Sequence, residues 1–436
     1  MEEQMKQKFI TITLSIIVIL AALLIFIDSL DYNLPKLWVL ILGEIVLIIL
    51  LLASYRDLKI DRKDILLFVF LALVFISTFL SSDPLKSIIG EKNRYEGLLS
   101  FIAYVCIYLA AKKFFYYKKI EEFLNILFYV SIGIGILGIF QNYISFPALI
   151  PLFNKGICST FGNSNFFGSY ISLVLPVAIV FFIFAGKKRG LLLSLVLFFN
   201  LLSSGTRSAW VAFAVVAVMG IIYLIKQKDK SYFKRFGILL LGFILIFIYL
   251  YLLPTGTVFR SKSDKMKEDV HEIFSTFEQK DPSIARYAGS NRIEIWRITL
   301  KLIGKKPLFG CGTDNLKRGI IMNYPVDLYQ FCLRSGNVID KAHNEYLQIA
   351  ATLGIPALLI YLLFLGSILR DKIKFLFQNK VAFTFCLVIF SYLAQAFFNI
   401  STIGIAPFFW MILGLADNPQ FLDSLKKQFP ERLYLK

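Results

Sequence analysis

Twelve apolar runs dominate the chain, at 9–27, 35–53, 64–80, 98–111, 120–140, 166–185, 190–203, 208–225, 237–253, 345–368, 381–398 and 402–416. A helix that crosses a bilayer needs about 20 predominantly apolar residues, so twelve of them would occupy over half of a 436-residue chain. Hydrophobic residues make up 57% and charged residues only 17%, against about 25% charged in an ordinary soluble domain. Those figures exclude a disordered chain, a disulfide scaffold and a soluble enzyme. The expected fold is an all-α polytopic membrane protein of about twelve transmembrane helices.

The formal net charge of +18 follows that layout. With the N-terminus inside, the inner loops and both tails hold 26 of the 47 Lys and Arg residues. The short outer loops hold only Lys36, Lys86, Lys92, Arg94, Lys155 and Arg207. The other 15 lie in one long segment, 254–344. Basic residues concentrate in cytoplasmic loops, so both termini are placed inside, and the excess reflects topology and anionic lipid rather than nucleic acid. The chain then divides into 1–253 with spans one to nine, 254–344 as a large helical extracytoplasmic loop, 345–416 with spans ten to twelve, and a cytoplasmic tail, 417–436. Asp28 and Asp31, not a small-residue cleavage site, follow the first run, so it is expected to stay in place. Cys106 and Cys386 fall inside spans. Cys158, Cys311 and Cys332 face outward, and spacing does not choose a pair among them.

In the long outer segment, Lys262 to Gln279 is charged and helical in pattern, with an exposed His271. Asn291 to Ile303 is a better helix: Ile293, Trp296, Leu300 and Ile303 fall on one stripe, with Arg292, Glu294, Arg297 and Lys301 largely off it. Such a helix suits the water–lipid boundary, with Trp296 as its anchor. Gly304 and Pro307 stop it, and Gly310-Cys311-Gly312 is a turn. No outer loop carries a pair of acidic residues spaced to hold a divalent ion, and no Cys/His cluster has zinc-site spacing; no metal or cofactor is expected.

Several polar residues collect at the outer surface. Arg94 sits in Gly90-Glu-Lys-Asn-Arg-Tyr-Glu-Gly97, and Arg207 in the short hairpin Ser203-Ser-Gly-Thr-Arg-Ser-Ala-Trp210. An arginine at the end of a span is costly unless it snorkels or meets an anion. Each residue has a plain explanation: Arg207 reaching headgroups, Arg94 paired with Glu91 or Glu96, Arg292 on a solvated face, His343 satisfied by backbone at a helix start. Together they suit a diphosphate, because the guanidinium fork binds phosphate oxygens bidentately and keeps its charge. A neutral histidine nearby can take a proton from a hydroxyl. Tyr95, Phe161, Phe166, Phe167, Trp210, Trp296 and Tyr346 either stack on sugar faces or pack as belt residues.

Four stretches carry a resemblance. They are Arg94-Tyr-Glu-Gly97, Ser159-Thr-Phe-Gly-Asn-Ser-Asn-Phe166, Ser204-Gly-Thr-Arg207 and Ala342-His-Asn-Glu-Tyr-Leu-Gln-Ile-Ala-Ala-Thr-Leu-Gly-Ile-Pro356. With Asn291-Arg-Ile-Glu-Ile-Trp-Arg297 and Pro307-Leu-Phe-Gly-Cys-Gly312 between the last two, the chain resembles the O-antigen ligase and polymerase superfamily over residues 90–415. The resemblance implies a metal-independent membrane glycosyltransferase (GT-C-like) fold in the cytoplasmic membrane of a bacterium, with the active site facing outside. The partners it implies are a glycan on an undecaprenyl diphosphate carrier, membrane lipid, and a glycan, lipid or protein acceptor. On this sequence Arg207 and Arg292 would hold the diphosphate and His343 would act as general base, with inversion at the anomeric carbon. Arg94 would serve the phosphate or the acceptor, and Trp296 and Asn344 would line the substrate site. Asn163 and Asn165 would bind sugar hydroxyls or cap a helix, and Glu345 would be a second base or would orient His343.

The family does several jobs with one scaffold. A ligase transfers a finished glycan, as to the lipid A–core of lipopolysaccharide; a polymerase extends a carrier-linked surface polysaccharide; other relatives glycosylate proteins. Ligase is put first here. The rival class is a flippase moving lipid-linked sugars without chemistry. It would need charged groups lining a membrane path, and the spans hold few, Glu44 being the main one.

Overall fold

The computed structural model describes residues 2–24, 31–54, 59–143, 157–252 and 291–420. Expectations for Asp28, Lys155, His271 and the helix from Lys262 to Gln279 lie outside the described residues. Among those described, the chain forms α-helices and short 3-10 turns, with no strand. The first half contains α1 (Glu2–Leu23), α2 (Leu34–Ala53), α3 (Arg62–Phe79), α4 (Pro84–Ile89), α5 (Leu98–Phe114), α6 (Ile120–Tyr143), α7 (Ser164–Ala185), α8 (Lys188–Ser203), α9 (Arg207–Gln227) and α10 (Lys230–Leu252). The second contains α11 (Arg292–Lys305), α12 (Leu316–Asn323), α13 (Pro325–Ser335), α14 (Glu345–Leu353), α15 (Ile355–Ile373), α16 (Lys380–Ala396) and α17 (Ala406–Asp417).

Six of these, α1, α2, α6, α7, α9 and α10, are long and apolar enough to cross a membrane by length and composition. The other apolar runs are also helical, but shorter or more charged. At about 1.5 Å per residue, the 12-residue α17 reaches only part of the way across a hydrocarbon core of about 30 Å. Every residue of α17 is buried. A helix that is apolar all round needs such a sheath, and α5 provides much of it, with Tyr104 stacked on Trp410.

The ends of α3, α5, α15 and α17 meet in an ionic cluster at one end of the bundle, the end that the sequence reading puts inside. Lys112 bonds Asp61 (2.6 Å), Asp64 (2.7 Å) and Asp417 (2.7 Å). Lys63 bonds Asp371 (2.6 Å) and Asp417, Lys113 bonds Asp64 (2.7 Å), and the Tyr108 hydroxyl donates to Asp417 (2.8 Å). Buried charges are tolerable only when paired in this way.

The run 345–368 is not one helix. It breaks at Gly354, whose φ is +96°, in a joint made by two of the motifs noted in the sequence. The amides of Cys311 and Gly312 donate to the carbonyls of Ala351 (3.0 Å) and Thr352 (2.9 Å), and Ile355 N–H donates to Pro307 O (2.7 Å). Pro356 has no N–H to continue α14. A Cβ on Gly354 would strike the Leu308 carbonyl, and one on Gly310 (φ +64°) the backbone of Thr352. Gly354→Ala is therefore expected to destabilise the protein by about 1–3 kcal/mol, visible as a lower Tm in detergent.

The amphipathic helix also differs from expectation. Its N-cap is Asn291 and it ends before Pro307 as the sequence suggests, but it turns a different face inward. Ile295, Ile298, Leu302 and Ile303 are buried with Glu294, whereas Ile293 and Leu300 are exposed (37% and 55%). The cause is a second apolar core, separate from the bundle's, in which α11 packs with Leu316, Ile320, Phe331, Ile339 and Ala350. Glu294 can enter it because Arg297 holds it (2.7 and 3.1 Å), and Asp327 in turn accepts from Arg297 (2.9 Å) and Lys301 (3.1 Å). Trp296 is no free-standing anchor: its ring packs on Phe397 and Phe398, and its Nε1 donates to Ala342 O (3.0 Å). All five cysteines are free.

Candidate functional site

At the other end of the bundle, the end that the sequence reading puts outside, separate stretches of sequence converge. The loop 90–97 is shaped by Asp314, which follows the Gly310–Gly312 turn. One Asp314 oxygen accepts from the amides of Glu91 (2.7 Å) and Glu96 (3.2 Å), and the other pairs with Lys341. Asn93 and Tyr95 adopt left-handed φ values of 67° and 56° to make this turn. Arg94 is thereby aimed at Asp340, with Nε donating to Oδ2 at 3.0 Å, and its guanidinium lies 5.5 Å above the Phe166 ring. Neither Glu91 nor Glu96 is its partner. Glu91 pairs with Lys86, and Glu96 accepts from Tyr104 (2.7 Å) and Ser401 (3.1 Å).

Phe166 belongs to the first turn of α7. Asn163 is the N-cap there, its Oδ1 accepting from Asn165 N–H at 2.8 Å, so the capping alternative describes Asn163 as it stands. The Asn165 carbonyl accepts from Asn399 Nδ2 (3.1 Å). Thr206 Oγ1 donates to Ser164 O (2.8 Å), which sets Arg207, the first residue of α9, beside the start of α7 and its two asparagines. Lys36, counted as a loop residue from sequence, lies in the first turn of α2 and is fully buried. Its Nζ donates to Thr160 O (3.0 Å) and sits 4.5 Å from the Phe161 ring, pinning the turn that precedes α7.

His343 has a left-handed φ of 49° and is held on both sides. Ala342 N–H donates to Gln348 Oε1 (2.9 Å) and Ala342 O accepts from Trp296; Asn344 caps α14 by accepting from Leu347 N–H (3.0 Å). Burial pushes the imidazole pKa down to about 4, and the Arg292 guanidinium adds to this, followed by Arg94 and Lys341; Asp340 opposes them. For Asp340 burial acts the other way, but the neighbouring Arg94 outweighs it and leaves the carboxyl below its usual range. His343 is thus a neutral base at physiological pH, set among cations able to hold an anion. Glu345 does not join it. Its oxygens accept from Tyr361 (3.0 Å) and Tyr392 (2.9 Å), and it lines a cavity behind the site with Glu96, Tyr104 and Lys341.

The structure therefore gathers Arg94, Arg292 and His343, and places Arg207 by the α7 start that carries Asn163, Asn165 and Phe166. Sequence reasoning missed Asp340, Asp314, Lys341 and Asn399. Asp340 and Lys341 stand three and two residues before His343, a spacing that offered a clue; Asp314 and Asn399 act across more than two hundred residues and left none. No curated protein matches this sequence. Residues 191–362, from α8 through the Arg292 helix and the His343 loop into α15, match the family model described as O-antigen ligase, and this match supports the resemblance to the O-antigen ligase superfamily.

Proposed function

We propose that the protein is a glycosyltransferase that moves a glycan from an undecaprenyl diphosphate carrier to an acceptor hydroxyl outside the cytoplasmic membrane. The observation that carries this reading is the neutral, part-buried His343 among Arg292, Arg94 and Lys341. The acceptor oxygen attacks the anomeric carbon from the face opposite the diphosphate. The C–O bond to the acceptor forms as the bond to the diphosphate breaks, with inversion, and the hydroxyl proton passes to the His343 imidazole. Arg207 and Arg292 offset the charge growing on the departing diphosphate. That anion also offsets the arginines' effect on His343, so donor binding raises the imidazole pKa and makes it a better base when it is needed. In this reading the helices form twelve spans with both termini inside, and Asn165 and Trp296 contact the sugars.

The test follows free carrier diphosphate released by purified protein from a glycan-linked undecaprenyl diphosphate, with candidate acceptors offered one at a time. The arginines supply the charge stabilisation that a metal would give elsewhere, so acceptor-dependent release that resists EDTA is expected. Loss of release on chelation would overturn the metal-independent mechanism. Product on a different acceptor identifies a ligase; a ladder of carrier-linked chains identifies a polymerase.

A further inference from the structure

A groove of about 290 Å³ opens between α6, α7, α16 and α17, with Ile120, Leu127, Phe181, Val381, Phe385 and Leu415 among its apolar walls. Ile120 and Val381 stand at the starts of their helices, and Leu415 lies two residues before Asp417. The mouth is therefore at the end of the bundle that holds the Lys63 and Lys112 cluster. From Ile120 to Leu127 the α6 wall is about 10 Å long at about 1.5 Å per residue, less than half of a hydrocarbon core of about 30 Å. A groove of that depth takes a chain from one leaflet only. Donors without acceptors gather at its mouth. Lys372, at the end of α15, is 1% exposed, and its Nζ has no hydrogen-bond acceptor among the described residues. It lies 6.0 Å from the centre of the Phe385 ring. Asn379 caps α16 through its Oδ1, which leaves its buried Nδ2 without an acceptor. Arg189 lies over the Phe181 ring at 4.9 Å, and its Nε is likewise buried and without an acceptor. The carboxylates at this end are already engaged, Glu121 by Arg189 (3.4 Å), Glu122 by Lys119, and Asp371 and Asp417 by the cluster.

We propose that this groove binds an anionic phospholipid of the adjoining leaflet, with an acyl chain between α6 and α16 and the phosphate at Lys372, Asn379 and Arg189. Charge selects this occupant. A buried ammonium without a partner is strongly destabilising, and an anionic headgroup supplies both the missing acceptors and the missing negative charge. A zwitterionic lipid brings its own cation to a mouth that is already positive. A free phosphate would meet the donors but leave the apolar walls uncovered. Basic residues at a membrane surface attract anionic lipid in general; here the donors are buried, and they stand beside a slot of one leaflet's depth. The site lies away from the arginine and histidine site and does not rest on the transferase reading.

The test compares phosphatidylglycerol with phosphatidylcholine, each added to delipidated protein in detergent, with bound lipid counted by native mass spectrometry. Phosphatidylglycerol is expected to bind at least about tenfold more tightly, because charge-assisted hydrogen bonds are the strong ones. Lys372→Gln should lose most of that preference, and Arg189→Gln reads the same loss from another helix. Val381→Trp blocks the mouth from a part-exposed position and should weaken phosphatidylglycerol binding by a similar factor. Two controls should change nothing: Lys374→Gln, which removes an exposed charge at the same end, and Gly366→Phe, which adds bulk to α15 in open space. Equal binding of the two lipids, or a preference lost as fully in Lys374→Gln, would overturn the proposal in favour of diffuse surface attraction. Unchanged phosphatidylglycerol binding in Val381→Trp would mean a headgroup contact with no chain in the groove, and would overturn it as well. Lys372→Gln should keep its Tm in the absence of lipid, since it replaces an unpaired buried charge with a neutral side chain. A Tm lowered equally with and without phosphatidylglycerol would make Lys372 a structural residue and sink the lipid site.

Discussion

Replacing His343 with Ala is expected to lower glycan transfer by about 10²–10⁴-fold, the usual contribution of a general base. Donor binding should persist, because the groups assigned to the diphosphate are the arginines. The two quantities can be read separately, as single-turnover release of carrier diphosphate and as retention of labelled donor in the absence of acceptor. His343→Gln keeps comparable bulk at the left-handed position (φ 49°) and should be as inactive as Ala, which separates loss of the base from loss of packing. Transfer at the normal rate in both variants would remove the proposed mechanism.

Arg292→Gln should show two effects at once. The rate falls by roughly 10²–10³-fold, as when a donor to a developing anion is removed. The His343 pKa moves the other way. Arg292 is, after burial, the main cause of its depression to about 4, so removing that cation stabilises the imidazolium and raises the pKa. The acid limb of kcat/KM therefore shifts to higher pH. Damage to the α11 packing alone would lower the rate equally at every pH. A lower rate with an unmoved acid limb would mean that Arg292 does not act on His343.

Helices were legible in the sequence because burial in lipid or protein imposes the same apolar runs. For the same reason their lengths were less so. The run 345–368 reads as continuous, and only the left-handed Gly354, docked against Pro307 and Leu308, divides it. The inward face of α11 was misread because Glu294 counted as polar surface, whereas Arg297 holds it and is itself held by Asp327, thirty residues further on. The chemistry-bearing residues stood out because arginine and histidine are conspicuous at an outer membrane surface. Their supports did not. Asp314 shapes a loop more than two hundred residues earlier in the chain, and Asn399 reaches Asn165 across a similar separation. Such pairings leave no periodicity behind.

The ionic cluster of Lys63 and Lys112 bears on how the chain is assembled during synthesis. Lys112 emerges with Asp61 and Asp64 already made, but Asp371 and Asp417 appear more than 250 residues later. Until then α3 and α5 wait side by side, with Lys63 lacking both of its acidic partners and the space beside Tyr104 and Tyr108 unfilled by Trp410 and Asp417. Contacts so distant in sequence form late and slowly. A chain released before residue 371 therefore leaves Lys63 without either of the carboxylates it bonds in the folded protein.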